Sequence, residues 1–379
     1  MRSPRRWAAV FSVAAITSVI ALAWDSSATT LSGSRLSGEL SAVSTISSSN
    51  AWAVGNYYIR PPDLGDFKSV TEHWHGGTWS RVSAPSPPGY VATLNGVTAV
   101  SPTNVWAVGL NNATTGNDKT LIEHWKGSGW KIVRSPNPGR FGNALAGVSA
   151  AAANQVWAVG YYGPPKTLIL RWNGSSWSRV KSPNPGRFKG NVLSAVSALS
   201  KTNAWAVGYY MSDFGPRTLI LRWNGTAWRK VAGRNPSGTD NELTGVSAVS
   251  SSDVWAVGYY TTSSGDRTLV EHWNGSGWSK VPSPNGAGGS ALAAVTALSA
   301  TNAWAVGSSG SASVKTLIEH WNGTKWTRVG SPNPSTSENE LLGVSASSPS
   351  DVWAVGYYKT SSGHRTLVEH WNGSTWSVR

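Results

Sequence analysis

Asp253-Val254-Trp255-Ala256-Val257-Gly258-Tyr259-Tyr260 is dense in β-branched and aromatic residues and reads as a strand. Its centre, Trp-Ala-Val-Gly, occurs seven times in 379 residues, beginning at Trp52, Trp106, Trp157, Trp205, Trp255, Trp304 and Trp353. Successive spacings are 54, 51, 48, 50, 49 and 49 residues. Strand-like content at that period predicts propeller blades rather than a helical solenoid.

Each copy divides into four strand-forming segments. In the fifth they are Leu243–Val249, which alternates large and small residues, then Asp253–Tyr260, Thr268–Trp273 and Trp278–Val281. Residues 243–281 and 341–379 align without a gap and differ at eight of 39 positions. No segment after residue 30 has helical periodicity. The expected fold is all-β, a seven-bladed β-propeller with four antiparallel strands per blade. Its blades are expected at about 40–88, 89–139, 140–188, 189–238, 239–286, 287–336 and 337–379.

The turns agree with this division. Asn or Asp stands at the turn into the second strand, where its side chain can hydrogen-bond the backbone just beyond. Asn274-Gly275-Ser276-Gly277 joins the third and fourth strands as a hairpin. Asn173, Asn224, Asn274, Asn322 and Asn372 each begin Asn-Gly-Ser or Asn-Gly-Thr, which also matches a glycosylation acceptor; turn chemistry explains the pattern without sugar. Of 23 Trp, 21 fall three to a copy, which suits blades packed on both faces. Trp273 and Trp278 can face each other across the hairpin, a pairing that adds about 0.5–1.5 kcal/mol beyond burial. Small residues at Ala256 and Gly258 are expected to let the next sheet approach closely.

Arg2, Arg5 and Arg6 precede an apolar run from Trp7 to Trp24, and Ala21-Leu22-Ala23 and Ser26-Ser27-Ala28 fit small-x-small cleavage patterns. Residues 1–28 therefore read as an export signal, with an uncleaved anchor as the alternative. The remainder, 29–379, is expected to be secreted or at the cell surface. The absence of Cys excludes disulfides, thiolate zinc sites and a Cys nucleophile. Lys plus Arg number 32 against 18 Asp plus Glu. One basic residue precedes each third strand (Lys119, Lys166, Arg217, Arg267, Lys315, Arg365, with Lys68 nearby), and another sits on most fourth strands (Arg81, Lys131, Arg179, Lys230, Lys280, Arg328). Such even spacing fits charge that blocks edge-to-edge pairing better than a one-sided polyanion stripe, so no nucleic-acid partner is expected.

The Asp/Asn-Val-Trp-Ala-Val-Gly strand followed by a Trp hairpin resembles the repeats of Asp-box and photosystem-assembly-factor propellers, and is similar to kelch units. The hairpin here reads His-Trp-Asn-Gly-Ser-Gly-Trp, with Asn where the Asp-box pattern has Asp. The resemblance covers residues 40–379. It implies four-stranded blades around a central channel and no single activity.

Catalysis calls for residues that depart from the repeat average. Glu72, Glu123, Glu271, Glu319 and Glu369 share one third-strand position, each followed by His (His73, His124, His272, His320, His370). Neighbouring strand residues point to opposite faces, so each pair is expected to make structural polar contacts with adjoining blades. No catalytic residue, metal site or cofactor is expected. Diversity is concentrated in the connections from strand two to three and from four to one. There Tyr57, Tyr162, Tyr210, Tyr260 and Tyr358 end the second strand, and two Ser-Pro-Asn-Pro-Gly-Arg-Phe loops present Arg140, Phe141, Arg187 and Phe188. These nine are the candidate ligand-binding residues, since binding concentrates on loops held by a rigid scaffold. The expected function is a non-catalytic exported propeller that contacts a glycan, cell-wall polymer or protein. Membrane contact is expected only if the N-terminal segment is retained. The alternative is a glycosidase- or lyase-type enzyme at the channel mouth, with carboxylates gathered from Asp63, Asp66, Asp118, Asp213, Asp240, Glu242, Glu338 and Glu340.

Overall fold

In the fifth repeat, Asn241–Ser250, Asp253–Thr262, Gly265–Trp273 and Trp278–Lys280 are strands, each paired antiparallel with the next in chain order. Asn274 closes the hairpin with its own side chain, whose Oδ1 accepts hydrogen bonds from the Ser276 and Gly277 N–H groups at 3.1 Å. The first strand is bulged between Leu243 and Gly245, and Gly258 lies against the bulge: a β-carbon there would stand 2.9 Å from Leu243 Cα. Gly258 thus accommodates its own blade rather than the neighbouring sheet, which corrects that expectation. Ala256 does meet the preceding repeat, in one buried cluster with Trp205.

The computed structural model describes residues 37–58, 67–85, 91–113, 117–186 and 190–379. The expected export segment at 1–28 lies outside them. The described residues hold 28 strands and no helix long and apolar enough to cross a membrane. They form an all-β propeller. Seven first strands succeed one another around the axis, and that of the seventh repeat, Asn339–Ser348, lies beside that of the first, Gly38–Ser47.

The hydrogen-bonded sheets correct the sequence expectation. Five separate four-stranded blades, repeats three to seven, stand where seven were expected. The eight strands of repeats one and two form a single sheet, joined by one parallel residue pair, Phe67 with Val91. Phe67 begins the third strand of repeat one and Val91 the first strand of repeat two. Both strands start on the same face of the ring, which places their first residues within pairing distance.

Tryptophan locks the repeats together. The second-strand Trp of one repeat sits against both hairpin Trp of the next. Trp205 lies 5.0 Å from Trp273 and, edge-on, 5.3 Å from Trp278. Trp353 closes the ring on Trp74 and Trp79 at 4.6 and 5.2 Å. Backbone contacts around the axis repeat as well: Ser247 Oγ accepts from Ala297 N at 3.0 Å, and Ser345 Oγ accepts from Thr45 N at 3.0 Å across the join.

Candidate functional site

Because successive strands run in opposite directions, the tight first and third connections gather on one face and the variable connections on the other. The tyrosines expected to end the second strands stand toward the variable face, but the strands run on past them to Tyr58, Ser212, Thr262 and Thr360 in repeats one, four, five and seven. Each lies opposite a basic residue of the third strand: Tyr57 with Lys68, Tyr162 with Lys166, Tyr210 with Arg217, Tyr260 with Arg267, Tyr358 with Arg365. In four of the five repeats a fourth-strand cation also lies over the ring. Arg81 is 4.0 Å from the centre of Tyr57, Arg179 5.6 Å from Tyr162, Lys230 4.4 Å from Tyr210 and Lys280 4.4 Å from Tyr260. Lys280 also donates to the Tyr260 hydroxyl at 3.1 Å. In repeat seven Val378 takes the register position of Lys280.

In the repeats that carry the tyrosine, the basic residues therefore meet it rather than simply lining free edges, whereas Lys119 and Lys315 lie opposite Asn111 and Ser309 and Arg328 donates to Ser309. Lys131 departs from the set, because exposed Ile132 holds the register position of Arg81 in repeat two.

Two of these pairs wall equivalent clefts. Tyr260, Thr268, Lys280, Pro282, Ser283 and Asn285 line a hollow of about 310 Å³ in repeat five. Tyr210, Thr218, Lys230, Ala232, Gly233 and Asn235 line one of about 440 Å³ in repeat four. The amide of each set is held by strand three: Thr268 N donates to Asn285 Oδ1 and Thr218 N to Asn235 Oδ1, both at 2.9 Å. Arg140 stacks 5.3 Å over Phe141, which is 58% exposed, on the connection into repeat three. Those two residues are not among the lining of either cleft. Arg187 and Phe188 lie outside the described residues.

The carboxylates expected for the enzyme alternative do not form one cluster among the described residues. Asp63 and Asp66 lie outside the described residues. Asp118 accepts from Asn112 Nδ2 at 2.8 Å in repeat two, and Asp213 belongs to repeat four. The others fall into two groups. In repeat five Asp240, Glu242 and Asp266 surround Tyr259, and burial raises Glu242 to about 7 against the pull of the Tyr259 hydrogen bond. In repeat seven Glu338 and Glu340 are joined by residues that sequence reasoning missed. His364 Nδ1 lies 2.7 Å from Glu39 Oε1, which also accepts from the Tyr58 hydroxyl at 3.1 Å. Tyr357 donates to Glu338 Oε1 at 3.1 Å and stacks on His364 at 4.3 Å. Burial, with the negative charge of Glu338 adding to it, raises Glu340 to about 7. One signal was available: His364 replaces Asp266 at one of the few positions where the two repeats differ.

The third-strand Glu and His part company. His272 Nε2 lies 2.8 Å from Asp253 Oδ1 and His370 Nε2 2.7 Å from Asp351 Oδ1, within their own repeats. The expected contact of His with adjoining blades is thereby corrected, as is the Asp side chain's role as a backbone cap. Repeat three keeps the contact with other residues, Arg171 donating to Gln155 Oε1 at 2.9 Å. Glu271 does reach the preceding repeat, accepting from Arg234 N at 3.0 Å. The carboxyl oxygens of Glu123 and Glu319 are buried with no hydrogen-bond partner among the described residues, and burial raises both to about 8. These two are therefore not the polar contacts expected of them. Among the described residues no group of three or more His, Asp or Glu is placed to hold a metal ion.

No protein-family model matches the chain, and no curated protein sequence matches it. Its likeness is to solved propeller structures. YCF48 from Cyanidioschyzon merolae is 17% identical with a TM-score of 0.48, covering 78% of this chain and 87% of that one. The Aleuria aurantia lectin in complex with α-methyl-L-fucoside is 12% identical with a TM-score of 0.48, covering 77% and 96%. An ulvan lyase of polysaccharide lyase family 25, bound to its glucuronate–sulfated rhamnose repeat, is 12% identical with a TM-score of 0.51, covering 87% and 91%. At such identities the likeness extends to the fold alone.

Proposed function

We propose that this chain is an exported, non-catalytic binding propeller that holds a glycan, a cell-wall polymer or a protein on its variable face. The observation that carries this reading is the recurrence of one cleft in repeats four and five, with the same Tyr, Thr, Lys and Asn at matching positions. The Thr–Asn contact also clamps the connection in repeats two, three and six; what repeats four and five add is a hollow beside it with Lys held over Tyr. In this reading the eight-stranded sheet counts as two blades of a seven-fold ring, and residues 1–28 direct export. N-terminal sequencing of protein recovered from the medium tests the export step; a mature chain that still begins at Met1 speaks against it. The binding reading is tested by hydrogen exchange in the presence of surface polymers and of partner proteins. Protection is expected on the variable face, and saturable binding mapped only to the hairpin face would overturn the reading.

One observation favours the enzyme alternative. The Glu39–His364 pair, with Tyr357 and Glu340 beside it, places a proton acceptor and a raised carboxyl together at one join of the ring. Turnover of a glycan that is lost in both Glu39→Gln and His364→Ala would establish it. Turnover unchanged in both variants would remove it.

A further inference from the structure

On the variable face the glutamates are segregated from the cations, while Asp118 and Asp266 stand near the start of third strands. Toward the axis lie Glu39, Glu242, Glu338 and Glu340 on or beside the innermost strands. Farther out, on the third and fourth strands, lie the cations that meet tyrosine. In repeats three, four and five these pairs occupy consecutive repeats, with Arg179, Lys230 and Lys280 over Tyr162, Tyr210 and Tyr260. The run ends on both sides: repeat two has Ile132 at the cation position, and repeat six has Ser309 where Tyr260 stands.

We infer that repeats three to five form a binding arc for an anionic polysaccharide, one acidic sugar to each tyrosine–cation pair. This rests on the binding reading above and names its ligand class. Each long basic side chain is already held against an aromatic ring, so less conformational freedom is lost when it meets a carboxylate or sulfate. Ser283, Asn285 and Asn235 at the cleft edge are engaged with Thr268 and Thr218 of strand three, which fixes the shape of the cleft and leaves the cation as the leading contact. A chain of sugars engages successive clefts at once, so weak single contacts reinforce one another. Nucleic acid fits less well, because its bases need open aromatic faces and these rings each carry a cation.

The test uses the full chain in affinity electrophoresis through polygalacturonate, dextran sulfate, neutral dextran and oligo(dT), with circular dichroism confirming that each variant is folded. Retardation is expected in at least one acidic polymer and not in dextran, and it should weaken with salt. The triple variant Arg179→Met, Lys230→Met, Lys280→Met is expected to bind at least about 10-fold more weakly, as loss of a linked multisite contact implies. Lys325→Met, which removes a cation from the opposite face, should leave retardation unchanged. Equal loss in Lys325→Met and the triple variant, or tighter binding of oligo(dT) than of either acidic polymer, would overturn the inference. So would passage through both acidic gels without retardation. Dextran binding that the triple variant abolishes would overturn the anionic ligand while leaving the binding reading intact.

Discussion

Repeats five and seven are nearly the same sequence, yet they carry different chemistry on the variable face. Their eight differences in 39 positions spare every Trp, the Ala-Val-Gly strand and the third-strand Glu-His pair. Four differences fall at the variable face: Thr261 against Lys359, Asp266 against His364, Lys280 against Val378, and Val281 against Arg379. Repeat five thereby has a cation over its tyrosine and only carboxylates on the axial side. Repeat seven lacks that cation and gains His364 and Lys359, the latter 3.9 Å from Glu338. The lesson is that the frame of a blade and the chemistry of its rim are encoded separately.

The largest effect expected tests whether the frames are equivalent. Trp255→Ala and Trp353→Ala each empty the slot between two hairpin Trp of the next repeat, at an internal interface and at the join. Each should cost about 3–5 kcal/mol in denaturant unfolding. A loss at the join less than half the internal one would show that the join is looser.

The next contrast is in pH. Burial raises Glu271 to about 7 and Glu369 to about 8. Both carboxyls hold a proton more tightly in the folded chain than in the unfolded one. Stability is therefore fullest below the ordinary carboxylate range and is lost as pH rises through those raised values. The melting temperature should fall between about pH 5 and about pH 9, with steady loss through neutrality. Glu369→Gln is expected to flatten that fall more than Glu271→Gln, because Glu271 retains the Arg234 N–H.

A smaller effect comes from exchanging the axial residues. His364→Asp sets a third-strand carboxylate against Glu39 and should cost about 1 kcal/mol at low salt and less at high salt, where the repulsion is screened. Unchanged thermal stability at both salt concentrations would mean that the His364–Glu39 contact contributes nothing at the join. The smallest effect on stability, within about 0.5 kcal/mol, is expected for Lys280→Val and Val378→Lys. Their readout is binding: affinity for acidic polymer should fall in the first and rise in the second.

Much of the frame is legible in the sequence, because blade packing leaves a periodic trace. Trp205, Trp273 and Trp278 recur at fixed offsets, and the side chains of Asn274 and its equivalents are turn formers. The Phe67–Val91 pair left no trace, since a single backbone hydrogen-bonding pair depends on how two chain segments converge and not on their side chains. Gly258 was visible as a small residue, but its neighbour was misjudged because a bulge in the adjoining strand has no residue signature of its own. The tyrosine positions were legible as a repeat, whereas the cations above them were read as edge charges. Deciding between those roles requires register, which places Lys280 opposite Glu271 and over Tyr260 but shifts Lys131 out of line. The Glu39–His364 contact joins residues 325 positions apart, so only closure of the ring brings it into being.

The join between repeats seven and one has a further consequence. No strand of the described residues crosses it; Trp353 bridges it as its counterparts bridge every other interface, and Ser345 bridges it as Ser44, Ser149, Ser197 and Ser247 bridge four of them. Covalent continuity is therefore not what keeps one blade beside the next. A circularly permuted chain, cut between two inner repeats and spliced across the former ends by a short flexible linker, should fold to the same ring, and the position of the cut should hardly matter.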